Sequence, residues 1–543
     1  MSDRSKRPDR SKANGAAPAN LPMVNIGRRK FTFMAGAAGA AGATAALFPG
    51  LGASPRQAWA QTVKRGGTLR VATTKDVEVL DPSNIVSDVE LRVCEQLYNG
   101  LVNIDENLNI IPDVAEEWAV SDDATVYEFK LRRGVVFHHG RELNSEDVAF
   151  TIERFKDTWV SYVVRDLDRI ETPDAHTVRL SFTAPAAHFL GSMAPRWTGM
   201  VPKDVVTERG ADGFKLNPVG TGAFRFVEHV PFQQLTLERN DAYFMDGLPY
   251  VDRLVWIPVQ DETSRSIQVI SGSADLDLWA PLKLLGTFRK EANIDLIGGS
   301  TSRFEFAELN NARAPFDNLD VRRAVSMATD RQQIVDLALF GEGDPLFGGP
   351  IGPAGHPFHS GLETYKTPNP EAARSLLSEA GHGSGLQVEG IVEGGSRFAD
   401  VLEILQQQWA QIGVTVNIAT LEAGAVRARR KEGDYDVTIE GWGTLVDPHD
   451  FTGEQFYTDG GLNFGKGGDA KLDALLDKGV QEIDFEKRRE IYAEIERYLL
   501  EDSAPYVFLY RPFEYAAHAK PVQGLKHEAG RTRISLQETW LNS

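Results

Sequence analysis

Along residues 434–451, DYDVTIEGWGTLVDPHDF, Tyr435, Val437 and Ile439 alternate with polar positions. A period of two predicts a strand with one buried face. That strand runs into Gly441-Trp442-Gly443, and a turn follows at Asp447-Pro448. A tryptophan at a strand end, between glycines that allow close backbone approach, is either the wall of a cleft or a core residue. The same alternation predicts strands at 127–131 (Tyr127, Phe129 and Leu131 against Glu128 and Lys130), at 178–182 and at 414–418. Further strands are expected at 66–72, 235–238, 253–258, 303–310 and 507–510. Helical periodicity and capping place helices at 86–101, 262–271, 398–412, 469–481 and 484–501, the last laced with Glu/Arg pairs that read as a solvated face. Asn144, with Asp147 three residues on, caps a helix to about 156; Val321, Ala324, Val325 and Ala328 mark another; Asn369-Pro370-Glu371 open one that stops at Gly381. Strands dominate up to residue 310 and helices alternate with strands beyond it, so the fold class is α/β. A length of 543 residues suggests two to four domains.

Charge changes the picture at one end only. The whole chain carries −19, but residues 1–60 hold nine Lys/Arg against two Asp, a net of +7, which leaves −26 for the rest. A body so acidic argues against nucleic acid and anionic membranes as partners. Residues 1–27 have no periodicity and are expected to lack regular structure. Arg28-Arg29 then precede an Ala/Gly-rich apolar stretch to about Leu51, the twin-arginine export pattern. The stretch is long enough to span a bilayer, so an uncleaved anchor is the rival reading. Ala58-Trp59-Ala60 favours cleavage after Ala60, giving a periplasmic protein that starts at Gln61. Cys94 is the only cysteine, which excludes an internal disulfide and a thiolate metal cluster. His138-His139 point apart in a strand or turn and have no third ligand nearby, so no metal site is assigned. The GTG at 220–222 enters a strand, not a helix N-terminus, and reads as a domain crossing instead of a phosphate cradle.

The block from Ala115 through Trp118, Ser121-Asp122, the run YEFKLR at 127–132, FHHG at 137–140 and DVAF at 147–150 resembles the signature of the family 5 solute-binding proteins. So do NPVGTGAFRF at 217–226, LNNARAPFDNLDVRRAVSMATDR at 309–331, NPEAARSLLSEAG at 369–381, and Gly441-Trp442 with Asp447-Pro448. Together they cover nearly all of the chain beyond residue 60. The resemblance implies a periplasmic binding protein-like fold: two hinge-linked α/β lobes plus a small extra α+β domain. Domain I is expected at 61–103, 218–310 and 506–543, domain II at 104–217 and domain III at 311–505, with a solute held between I and III. It implies a receptor that delivers its solute to the permease of an ABC importer, works as a monomer, needs no cofactor and is not an enzyme.

The resemblance also carries site residues. Trp442, with Gly441, matches the family's pocket aromatic. Phe304 and Phe306 approach the crossing on one strand face and are expected to line the opposite wall or fill the core. Arg397, at a helix start, is placed to pair with a solute carboxylate or to lie on the surface. Peptide-binding relatives carry an acid three residues after the pocket tryptophan; here that position is Leu445. Either Asp447 anchors the solute's ammonium or the solute lacks one. A peptide is expected, with an opine, saccharide, glutathione-like compound or metal chelate as alternatives. A secreted hydrolase is the reading from another class, and no G-x-S-x-G, H-E-x-x-H or Cys–His pattern supports it.

Overall fold

In the computed structural model the described residues are 23–25 and 63–542, apart from 86, 106–107, 352–355, 444 and 529–532. Arg28, Arg29 and the expected cleavage site at Ala60 lie outside them. Three large sheets organise the chain.

The first sheet has seven strands in the order Ile294–Gly299, Glu514–Ala519, Leu276–Asp277, Thr68–Thr73, Arg253–Pro258, Gln234–Arg239, Phe224–Val230. Thr68–Thr73 runs parallel to both of its neighbours, which is why Leu69 and Val71 are fully buried. The second sheet is antiparallel with five strands, Ala115–Ser121, Val126–Leu131, Thr177–Phe182 and Leu167–Asp174 being joined at one edge by Met23–Asn25. Of the residues expected to lack regular structure, only 23–25 are described, and they pair through the backbone with 119–121. Tyr127, Phe129 and Leu131 face inward as their alternation predicts, with Phe129 paired to Val178 and Tyr127 to Leu180. Asn144 and Asp147 form a reciprocal capping box on helix Ser145–Arg154. These two sheets share one continuous hydrophobic core, running from Leu69 and Leu254 to Phe129 and Phe137.

Two sequence features explain how the smaller sheet is fixed to the larger. Added Cβ atoms at Gly220 and Gly222 would lie 2.0 Å from the Leu97 carbonyl oxygen and 2.3 Å from that of Gln96, so this loop can press against the helix end only as glycine. His138 bonds the backbone of both glycines, and burial pushes its pKa down to about 4. The histidine clamps a crossing. Cys94 is fully buried on helix Asp88–Leu97, where burial pushes the thiol up.

The third sheet has six strands in the order Gly343–Pro345, Tyr506–Pro512, Phe304–Leu309, Val437–Trp442, Leu386–Glu393, Val414–Leu421. Helix Arg397–Ala410 is the crossover between its parallel pair Leu386–Glu393 and Val414–Leu421. One face packs on Trp409, Leu402 and Val325, the other on Phe451, Phe456 and Tyr492. Strands Phe304–Leu309 and Tyr506–Pro512, expected in the first lobe, pair within this sheet. Phe304, Phe306 and Phe508 bury against the third sheet's aromatic core, and that burial decides where the strands pair. The chain therefore crosses between the seven-stranded and six-stranded sheets twice, near 300–303 and near 513.

Candidate functional site

Trp442 ends its strand directly opposite Phe304, Gly441 opposite Glu305, and Glu440 opposite Phe306. Opposed residues share a face, so Trp442 stands over the aromatic layer, 5.3 Å from the Phe451 ring and partly exposed. Its indole Nε1 has no hydrogen-bond partner among the described residues, a property it shares with four other tryptophans and so not by itself the mark of a site.

Phe304 and Phe306 are 0% and 1% exposed. Phe304 packs edge-on against Phe451 at 4.8 Å, and Phe306 stacks on Tyr506 at 4.8 Å. Neither ring has a face left for a solute, so the wall expected of them is core. The residues on the other side of that strand were not singled out from sequence, and they carry the charge. Glu305 is fully buried and accepts from the Arg397 guanidinium and the Tyr510 hydroxyl, with Arg303 Nε at 3.4 Å. Arg303 reaches Asp88 at 2.8 Å and Glu514 at 3.7 Å. Burial raises the Glu305 carboxyl, but Arg397 and Arg303 outweigh it and hold the group below its usual range. Burial likewise lowers Arg303, yet Asp88, Glu514 and Glu305 outweigh it and raise that guanidinium.

The result is an ionic chain from Asp88, on the first helix, through Arg303 and Glu305 to Arg397 at the first turn of helix Arg397–Ala410. It spans the junction of the seven-stranded and six-stranded sheets. Gly441 makes room for it, since a Cβ there would lie 3.1 Å from Arg303 Nη2. Arg397 is one-third exposed (34%), so it is placed as expected at the helix start, but its partner in the structure is Glu305. A signal for the missed pair exists in the sequence: Arg303 and Glu305 alternate with Phe304 and Phe306, the spacing of a strand with one apolar and one charged face. On the same strand as Trp442, Glu440 lies 3.1 Å from Arg430, and burial pushes its pKa up to about 7.

Asp447 is corrected outright. Arg488 grips both of its oxygens, at 2.6 and 2.8 Å, and the His449 N–H donates to Oδ1 at 2.9 Å. The carboxylate is 5% exposed and its guanidinium partner 6%. It is the staple at the start of helix His449–Phe456, and Leu445 beside it is fully buried in the aromatic core. In this arrangement the charge of Asp447 is paired inside the protein. The chemistry assembled at the junction is ion pairing and aromatic contact. Among the described residues no group of three or more His, Cys, Asp or Glu is placed to hold a metal ion, and no helix is long and apolar enough to cross a membrane. A concavity of about 590 Å³ lies elsewhere, at the edge of the seven-stranded sheet, and Arg239 in its wall is paired with Asp241 and Asp252.

Residues 109–464 match the model of the bacterial extracellular solute-binding proteins, family 5. The di/tripeptide-binding protein 1 of Pseudomonas aeruginosa is 28% identical over 492 residues, 84% of this chain and 89% of that one. The heme-binding protein A of Haemophilus influenzae is 27% identical over 464 residues, 79% of this chain and 84% of that one. Among solved structures, the periplasmic binding protein AgaA of A. tumefaciens R10, in complex with agropinic acid, superposes with a TM-score of 0.79 at 26% identity over 88% of this chain and 99% of that one. The DppA protein of Helicobacter pylori, in complex with the peptide STSA, has the same fold, with a TM-score of 0.81 at 23% identity over 88% of this chain and 99% of that one.

Proposed function

We propose, from the premise that the chain belongs to the family 5 bacterial extracellular solute-binding proteins, that it captures a small carboxylate-bearing solute at the junction of its two lobes. The protein is a transport receptor of an ABC importer and not an enzyme. The observation that carries the solute class is the Arg303–Glu305–Arg397 chain, which lies across the strand from Trp442 and against Gly441. Two guanidiniums share one buried carboxylate there, and Arg397 keeps a third of its surface open. A solute carboxylate reaching Arg397 gains charge-assisted hydrogen bonds while Arg303 and Tyr510 continue to hold Glu305. Trp442 supplies the apolar contact.

A short peptide is the first reading, in line with the di/tripeptide-binding relative. One observation favours a second. With Asp447 locked by Arg488 and Leu445 in the core, the Trp442 loop offers no free carboxylate to a peptide ammonium, and burying one unpaired costs several kcal/mol on general grounds, roughly 3–5. A solute without an ammonium at that point, such as an opine, needs no such anchor, and the AgaA neighbour is in complex with agropinic acid. On this reading domain I comprises 61–103, 218–303 and 513–543, domain II 104–217 and domain III 304–512. Export follows Arg28-Arg29, with cleavage after Ala60 and a monomeric receptor in the periplasm.

Calorimetric titration of the mature protein with trialanine, glutathione and agropinic acid tests the class. Binding of at least one, weakened about tenfold or more by Arg397→Gln, is expected. Unchanged affinity in that variant sinks the junction as the site, and binding confined to a neutral saccharide sinks the carboxylate.

A further inference from the structure

The two lobes touch at a second place, away from the crossings, on the helix whose Phe451 packs against Trp442. There the segment that follows the five-stranded sheet's helix meets the turn and helix at 446–457. Ser192 Oγ donates to Asp450 Oδ1 at 2.6 Å and the Tyr162 hydroxyl reaches the same oxygen at 3.4 Å, while Asp450 Oδ2 accepts the Asp447 N–H at 3.1 Å. The His188 and His449 rings meet edge to face with centroids 4.6 Å apart. Gly191 lies so close to Asp447 that a Cβ there would stand 3.0 Å from the aspartate's own Cβ. At the rim Arg165 lies over the Tyr457 ring at 4.1 Å and pairs with Asp459 at 3.2 Å.

Three properties separate this contact from a permanent one. No strand crosses it: the five-stranded sheet takes its partners, and its core, from the same body as the seven-stranded sheet. A single residue from the third lobe, Val446, enters that core. Buried polar groups meet there, Asp450 and Ser192 at 0% exposure and His449 at 1%, beside the Tyr162 and Tyr457 rings. Groups of this kind are well solvated when apart, so separating them costs little compared with opening an apolar interface of the same size. The contact is also made by whichever two bodies the crossings allow to move, because the first two sheets form one body and the third the other.

We propose that the Ser192/Tyr162–Asp450 contact is a latch that holds the lobes closed independently of the solute, and so sets how much of the solute-free receptor is already in its binding form. This rests on the reading that capture closes the two lobes on each other. A latch outside the site raises apparent affinity by increasing the competent fraction, with no contact to the solute.

The test uses the mature chain labelled at Glu208→Cys and Lys487→Cys, exposed positions on opposite bodies; buried Cys94 does not compete for the label. Energy transfer between the dyes reads the closed fraction without solute. Ser192→Ala removes the bond, and Gly191→Val wedges the contact without touching Arg303, Arg397 or Trp442. The ratio of closed to open is expected to fall about tenfold in each, equivalent to about 1.4 kcal/mol, with the melting midpoint of the third lobe unchanged. An unaltered ratio in both variants overturns the latch. Trialanine closing parent and wedge variant from the same starting fraction keeps the receptor reading and removes the latch. Opening in the wedge variant with no response to trialanine keeps the latch and counts against the peptide reading.

Discussion

Replacing Asp447 by Asn separates a structural acid from a solute anchor. In the native protein Arg488 is fixed by two charge-assisted bonds to Asp447, at 2.6 and 2.8 Å, by its Nε to the Gly479 carbonyl at 2.7 Å and by a 3.4 Å contact to the Tyr492 hydroxyl. Both charged groups are at least nine-tenths buried. The Asn side chain keeps one acceptor and loses the charge, which leaves a guanidinium inside the protein without its counter-ion. Breaking such a pair from one side typically costs about 3–5 kcal/mol. For a cooperative unit of 150–250 residues each kcal/mol is worth about 2–4 °C, so the third lobe's melting midpoint should fall by roughly 6–20 °C. The double variant Asp447→Asn/Arg488→Met removes both charges and should recover most of the loss. Differential scanning calorimetry resolves the transition, and calorimetric titration follows binding in the same samples below it. If Asp447→Asn melts like the parent but no longer binds solute, the carboxylate faces the ligand and the structural assignment is wrong.

Other expectations are simpler to state. Trp442→Ala should weaken solute binding about tenfold, the equivalent of about 1.4 kcal/mol, and an unchanged dissociation constant would remove Trp442 from the site. Glu496 is 1% exposed, and burial pushes its pKa up to about 7. An acid raised in the folded state contributes its stability in full below its unfolded value near 4.5 and loses it as pH rises through about 7. Glu496→Gln should therefore match the parent at pH 4.5 and gain up to about 3 kcal/mol on it at pH 8; parallel stability curves would contradict this. Replacing Arg28 and Arg29 together by Lys should leave precursor in the cytoplasm, and normal export of that variant would refute the twin-arginine reading.

What the sequence made legible follows from the range of the interactions involved. Tyr127, Phe129 and Leu131 declare their strand because burial on one face is a local pattern, and Asn144 with Asp147 declares a helix start because both halves of the cap lie within four residues. Asp447 could not be read the same way. Its partner lies 41 positions on, in a helix whose Glu/Arg spacing looks like a solvated face, yet Arg488 is 6% exposed. The Glu305 cluster draws on residues 88, 303, 397, 510 and 514, which only the assembled fold brings together. Phe304 and Phe306 show the opposite limit: alternation located them on one face, but not whether that face met solute or core.

The double crossing between lobes also dictates an order of assembly. Nearly everything in the six-stranded sheet lies between 304 and 512, an uninterrupted piece of chain that can fold once it has emerged. The seven-stranded sheet cannot be finished so early. Ile294–Gly299 is joined to that sheet only through Glu514–Ala519, which also borders Leu276–Asp277. The first lobe to be synthesised is thus the last to be completed, and until residue 519 is available it presents an open edge to its surroundings. Loss of the last thirty residues would leave the six-stranded sheet's strands in place while detaching the edge of its neighbour, so C-terminal truncation should damage the lobe that begins the chain.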